Sequence, residues 1–191
     1  MKNTAETLSR HRVRRLFLRN GVAAVSAGFF LPSIAQAATQ FTEHEKKLSL
    51  SNLHTGERLQ SVFWVEGKFV PESLREINYL LRDFRTDEVA KIDPKLLLLI
   101  HRLHHSVDAS RSAQIISGYR SPKTNATLRQ NSSNVAKKSY HMKGMAIDLR
   151  IGGVDLKYLQ KAAKSLKGGG VGYYPKSQFL HIDTGPVRYW T

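Results

Sequence analysis

The chain has 191 residues, with 30 Lys and Arg against 15 Asp and Glu, and no cysteine. A chain of this length holds one domain with a real core. Without cysteine there can be no disulfide framework, thiolate metal site, catalytic thiol or lipoprotein cysteine, so any metal must be held by His and carboxylate.

Residues 1–37 read as a twin-arginine export signal. Arg14-Arg15-Leu16-Phe17-Leu18-Arg19 is followed by an apolar stretch from Gly21 to Leu31, and Ala35-Gln36-Ala37 is a small-residue cleavage site. That stretch is far shorter than the ~20 residues of a spanning helix, so stable membrane insertion is not expected. The expected first partner is the twin-arginine export machinery, and the expected location is the periplasm. Removing these 37 residues, with their six basic and one acidic side chains, leaves 154 residues (38–191) and a net charge of +10. A basic surface suits nucleic acid, anionic lipid or an acidic polymer. Export sets nucleic acid aside and leaves the cell envelope.

Leu48 to Arg58 alternates in part, and His54-Thr55-Gly56-Glu57 is turn-like ahead of Ser61 to Val65, which predicts a β-hairpin. Pro71 opens a helix with Leu74, Ile77, Leu80, Leu81 and Phe84 on one stripe. Asp93-Pro94 starts another, with Asp as N-cap, whose apolar face is Leu96, Leu99, Ile100, Leu103 and Val107. Of its histidines His101, His104 and His105, His101 and His105 stand at i, i+4 but fall opposite that face, so the cluster reads as solvated rather than metal-binding. Next come a strand over Gln114–Tyr119, a short helix over Thr124–Gln130, a polar loop and a strand over Met145–Ile151. A helix through Leu156, Leu159, Ala163 and Leu166 is closed by Gly168-Gly169-Gly170, and strands over Val171–Tyr174 and Phe179–Asp183 end the order. Segregated helices and short strand connections predict an α+β fold, a single compact domain with an antiparallel sheet and packed helices.

Three segments concentrate polar groups that a core does not need. In Ser139 to Asp148, the strand pattern buries Asp148 between Ile147 and Leu149, which is costly unless the carboxylate is paired or bound to a metal. Gly144 lets the preceding loop turn back so that His141 can approach it; fully extended, the two would stand ~24 Å apart. In Phe179 to Asp183, period-two alternation puts Phe179, His181 and Asp183 on one face. If that strand pairs beside Met145–Ile151, His181 meets Asp148. Two imidazoles and a carboxylate make a three-ligand zinc set with the fourth position left for water, whose pKa zinc would lower to about 7. In Ser117-Gly118-Tyr119-Arg120-Ser121, an arginine just past a strand end suits a carboxylate or a developing oxyanion. Each segment alone is more often structural; their conjunction behind an export signal singles them out.

At these residues the sequence resembles the YcbK-like murein endopeptidases, a branch of the zinc peptidases that includes D-alanyl-D-alanine carboxypeptidases and VanX dipeptidases. The resemblance rests on S-x-H-(x)6-D at Ser139, His141 and Asp148, the later His181, and the upstream Ser117-Gly118-Tyr119-Arg120-Ser121. It extends to Ser49 through Glu57, Gly169 through Pro175 and His181 through Pro186, so it spans roughly Leu48 to Trp190. It implies one Zn2+ per chain held by His141, Asp148 and His181, hydrolysis of peptidoglycan peptide cross-links, Arg120 at the substrate carbonyl or oxyanion, and substrate contacts from Ser139 and Tyr140. A monomer is expected. VanX-type members place a catalytic Glu three residues before the last zinc His; this chain has Gln178 there, and an amide cannot act as a base. Asp183 is the candidate for proton transfer, with support of His181 as its alternative role. Two rivals stay open: a non-catalytic, metal-stabilised peptidoglycan-binding module, which Gln178 favours, and a basic envelope protein binding anionic polymer by charge alone.

Overall fold

The structure is a computed structural model that describes residues 44–132 and 135–191. The expected export signal, residues 1–37, lies outside the described residues. Glu45–Asn52 (β1) and Arg58–Val65 (β2) form the expected hairpin, and Lys68–Phe69 (β3) adds a short third strand against β2. Pro71–Leu80 (α1) and Pro94–Ser106 (α2) follow, then Ala113–Ser117 (β4), Pro122–Asn131 (α3) and a 3₁₀ turn over Tyr140–Lys143. Ala146–Ile151 (β5), Leu156–Ser165 (α4), Gly170–Tyr174 (β6), Phe179–Asp183 (β7) and Arg188–Trp190 (β8) complete the order.

The strands form one sheet in the order β3-β2-β1-β4-β5-β7-β6-β8. The fold is α+β as expected, but the sheet is mixed rather than antiparallel: β1 runs parallel to β4, and β6 parallel to β8. The first exception follows from α1 and α2, which carry the chain away from the hairpin and return it beside β1. The second arises because β8 reverses after β7 and then lies on the far side of β6. Strands that both run against β7 run with each other.

Alternation gives the sheet two unlike faces. Ile147, Leu149, Leu180 and Ile182 join a core with Leu159 and Ala163 of α4 and Leu96, Ile100 and Leu103 of α2. Each of these leucines and isoleucines, fully buried, contributes about 1.5–3 kcal/mol. α4 packs on β5, β6 and β7, and α2 packs on β1 and on α4. Because α2 meets both a strand and a helix, its buried arc is wider than one stripe. Leu97 is also buried, and His101, four residues on, is buried with it. His101 was expected in solvent; instead its Nδ1 lies 3.0 Å from the Lys47 carbonyl oxygen, and its ring meets Phe63 edge-on. Similarly, α1 stops before the expected Phe84. The Leu81 carbonyl accepts the Tyr119 N–H at 2.7 Å, and Phe84 stacks on His54 instead.

The turn after the 3₁₀ segment anchors the polar face. Gly144 has φ +64°, donates its N–H to the His141 carbonyl and accepts the Asp93 N–H at 2.9 Å. Asp93 caps α2 through the Lys95 N–H and accepts the Thr184 hydroxyl, joining this turn to the end of β7. A Cβ at Gly144 would run into the Lys91 carbonyl oxygen. Gly144→Ala should therefore destabilise the domain by about 2 kcal/mol or more. Urea denaturation reads this directly, and an unchanged midpoint would show that the turn does not need glycine.

Candidate metal centre

One row of register partners builds the site. Ser117 of β4 stands opposite Asp148 of β5, Asp148 opposite His181 of β7, His181 opposite Gly172 of β6, and Gly172 opposite Trp190 of β8. His141 reaches the row from the 3₁₀ turn, whose start is capped by the Ser139 hydroxyl accepting the His141 N–H. The Arg120 segment is tied to the same turn by the Arg120 N–H, which donates to the His141 carbonyl at 3.2 Å.

The side chains converge tightly. His181 Nδ1 lies 2.8 Å from Asp148 Oδ1 and 3.2 Å from His141 Nε2, which is itself 3.3 Å from Asp148 Oδ1. Among the described residues, these three form the one group of His and carboxylates arranged to hold a metal ion. Ligands about 2.0–2.2 Å from a tetrahedral zinc stand about 3.3–3.6 Å apart, so the 2.8 Å edge of this triangle needs to open most, by about 0.5–0.8 Å. The outer ring atoms are equally well set. His141 Nδ1 donates to the Gly118 carbonyl at 2.7 Å, which leaves Nε2 with a lone pair facing the others. His181 Nε2 lies 3.0 Å from Asp183 Oδ2, which turns Nδ1 toward Asp148.

Asp183 stands behind that ring and is fully enclosed. Its Oδ1 accepts from the backbone of Gly170 and Gly185 and from Arg188, and its Oδ2 meets Arg188 Nη2 at 2.7 Å as well as His181. Arg120 is nearly buried, with Nη2 3.4 Å from Ser117 Oγ and 3.5 Å from Asp148 Oδ2, and its buried Nε has no partner among the described residues. Burial lowers its pKa, opposed by Asp148. The segment is pinned from beneath by Asp83, whose carboxylate accepts the Ser121 N–H at 2.8 Å.

In front of the row opens a cavity of about 510 Å³, walled by Arg120, Tyr140, Tyr174, Phe179, Arg188 and Trp190, with Asp148 the one carboxylate among its described lining residues. Lys143 and Arg188 each place a cation over the Tyr140 ring. Gln178 is exposed and outside the cavity, its amide donating to the Pro175 carbonyl. A larger hollow of about 670 Å³ lies beside His101, His104 and His105, away from this row, and brings no comparable ligand set together.

Comparison with known proteins gives the family. The Peptidase_M15_2 family, described as peptidoglycan L,D-endopeptidase MepK, matches residues 40–190. The chain belongs to this family. It is 45% identical over 177 residues to the peptidoglycan L,D-endopeptidase MepK of Escherichia coli (strain K12), covering 93% of this chain and 96% of that one. It is 46% identical over 150 residues to the probable peptidoglycan L,D-endopeptidase MepK of Haemophilus influenzae, covering 78% and 81%. The family resemblance read from the motifs is thus correct.

The structure brings His141, Asp148, His181, Arg120, Ser139 and Tyr140 to one cavity and sets Asp183 behind it. Tyr174, Arg188 and Trp190 were not singled out in the sequence. The only signal was the glycine-flanked Gly172-Tyr173-Tyr174 within a family match, because β8 reaches the site through a parallel pairing that local pattern does not reveal.

Charge at the row depends on pH. Burial disfavours charge on His181, but hydrogen bonds to Asp148 and Asp183 outweigh it and raise the pKa from 6.5 to about 9. Burial likewise opposes the Asp148 charge, yet the two imidazoles hold that group well below the usual carboxylate range. A raised histidine pKa adds stability that is fully present below the unfolded value and lost as pH rises through the folded one. Chelator-treated protein should therefore melt at progressively lower temperature from pH 6.5 to about 9. A bound divalent ion should flatten that decline by replacing the proton. Thermal scans across this range check both, and a flat metal-free profile would contradict the ion-pair geometry.

Proposed function

We propose that this protein is an exported, zinc-dependent peptidase that hydrolyses peptide cross-links of peptidoglycan in the periplasm. The observation that carries the reading is the convergence of His141, Asp148 and His181 at the floor of an open, basic cavity in a chain of the MepK family. The relatives' names specify L,D-endopeptidases, so the expected bond joins an L-centre to a D-centre. The leader pattern at residues 1–37 supports export by the twin-arginine route, and no helix among the described residues is long and apolar enough to cross a membrane.

In this reading His141, Asp148 and His181 hold one zinc ion. Zinc, when bound, supplies Lewis acidity toward a carbonyl oxygen and lowers the pKa of a water to about 7. The chain's own groups do the rest. Arg120 offers a nearly buried guanidinium with an unpartnered Nε beside the row, suited to the oxygen on which charge develops. Lys138, Arg188 and Arg120 make the cavity attractive to a substrate rich in carboxylates. Ser139 sets the 3₁₀ turn that carries His141, and Tyr140 lines the substrate's path. Asp183, read from sequence as a proton carrier, fits a different role. Enclosed, and with both oxygens engaged by Arg188, it orients His181.

The rival reading, a metal-stabilised binder without activity, is favoured by Gln178, which neither carries a carboxylate nor faces the cavity. Turnover of purified cross-linked muropeptides, lost on chelation and restored by zinc, separates the two. His181→Ala should lose metal and activity together, and full zinc occupancy in that variant would refute the ligand set. Arg120→Ala should retain metal while kcat falls about 100-fold, whereas a rise in KM alone would make Arg120 a substrate anchor.

A further inference from the structure

Hydrolysis of an amide needs a proton for the departing nitrogen, and the carboxylates near the row are poorly suited to supply it. Asp183 is enclosed, Asp148 is held by two imidazoles, and the glutamate of related enzymes is replaced by Gln178, which faces away. Tyr174 is better placed. On β6, the alternation that sets Gly172 beside His181 sets Tyr174 on the same face, opposite Phe179. Its ring stacks on Phe179 with centroids 4.5 Å apart, which fixes its orientation. Its oxygen lies 2.9 Å from Trp190 Nε1. An indole N–H can only donate, so the phenol oxygen accepts there and its own proton is left over. Among the described residues that proton has no acceptor, and the side chain lines the cavity with Arg120 and His181.

The arrangement depends on glycine at position 172. A Cβ there would stand 2.5 Å from Trp190 Cε2, so a larger residue would push the indole off the place from which it meets both His181 and Tyr174. The Trp190 N–H faces the phenol oxygen, and the Arg120 guanidinium lines the same cavity.

We propose that Tyr174 is the catalytic acid, donating its phenol proton to the amine that leaves when the cross-link is cut. This rests on the peptidase reading above. As the C–N bond breaks, its electron pair goes to nitrogen, the Tyr174 O–H bond breaks and an N–H bond forms. The phenolate then recovers a proton released by the attacking water, whose oxygen remains in the new carboxyl group.

Tyr174→Phe removes only the hydroxyl and keeps the stack on Phe179. Its kcat on a cross-linked muropeptide should fall about 100-fold, with KM and zinc content close to wild type. A matched phenyl ester supplies the control, because phenolate departs without needing a proton. On that substrate Tyr174→Phe should stay close to wild type. Trp190→Phe, which removes the donor to the phenol and keeps an aromatic ring, should lower the amide-to-ester rate ratio, by less than Tyr174→Phe does. Unchanged amide turnover in Tyr174→Phe overturns the proposal, as does an equal loss on amide and ester, which would make Tyr174 a packing residue. A wild-type, zinc-loaded enzyme that cleaves neither substrate overturns the peptidase reading and this inference with it.

Discussion

The antiparallel register that sets Asp148 against His181 is the constraint on which the site depends. In a strand pair a slip of one residue sends every side chain to the opposite face. Here such a slip would bring Asp148 into the apolar layer under α4 and expose Ile147 or Leu149 in the cavity. The fully buried Ile147, Leu149 and Leu180 therefore hold the polar row in register as much as they form the core. Packing on one face fixes chemistry on the other, and the same register carries Ser117, Gly172 and Trp190 into the row.

What the sequence disclosed divides along the same line. Local signals were legible: Asp93-Pro94 at the start of α2, Pro71 at the start of α1, and the alternation that put His181 and Asp183 together. The three proposed ligands were legible too, because a buried aspartate between Ile147 and Leu149 needs an explanation at the level of single residues. Long-range partners were not. Nothing in the run Arg188-Tyr189-Trp190 announces a parallel strand on β6, so the Arg188 clamp on Asp183 and the Trp190 contact to Tyr174 became visible only in three dimensions. His101 shows the complementary error: reading one stripe of α2 overlooked Leu97, which turns a second side of the helix inward.

The reassignment of Asp183 follows from counting hydrogen bonds. A general base must exchange its proton with a reacting molecule, which requires a lone pair facing that molecule. Asp183 meets two backbone N–H groups, both terminal nitrogens of Arg188 and the His181 ring, and its side chain has no exposure. A carboxylate held in this way orients its partner. By fixing the far nitrogen of His181 it determines which nitrogen faces Asp148, and removing it would leave both His181 and the half-exposed Arg188 without their shared partner.

The balance of buried charge explains how such a row can exist without strain in the sheet. Asp148 and Asp183 bring two negative charges to a region of little solvent, and isolated carboxylates there would be strongly disfavoured. Arg188 neutralises Asp183 at 2.7 Å, while Arg120 approaches Asp148 only to 3.5 Å and offsets it partly. The remaining positive charge comes from the proton on His181, which is why hydrogen bonds to both carboxylates hold that proton against the effect of burial. A divalent ion among His141, Asp148 and His181 would supply the same charge and more, at the same point, in exchange for that proton. In the proposed ligand set, the His181 proton and a divalent ion are therefore alternatives at the same point, each offsetting the buried carboxylates.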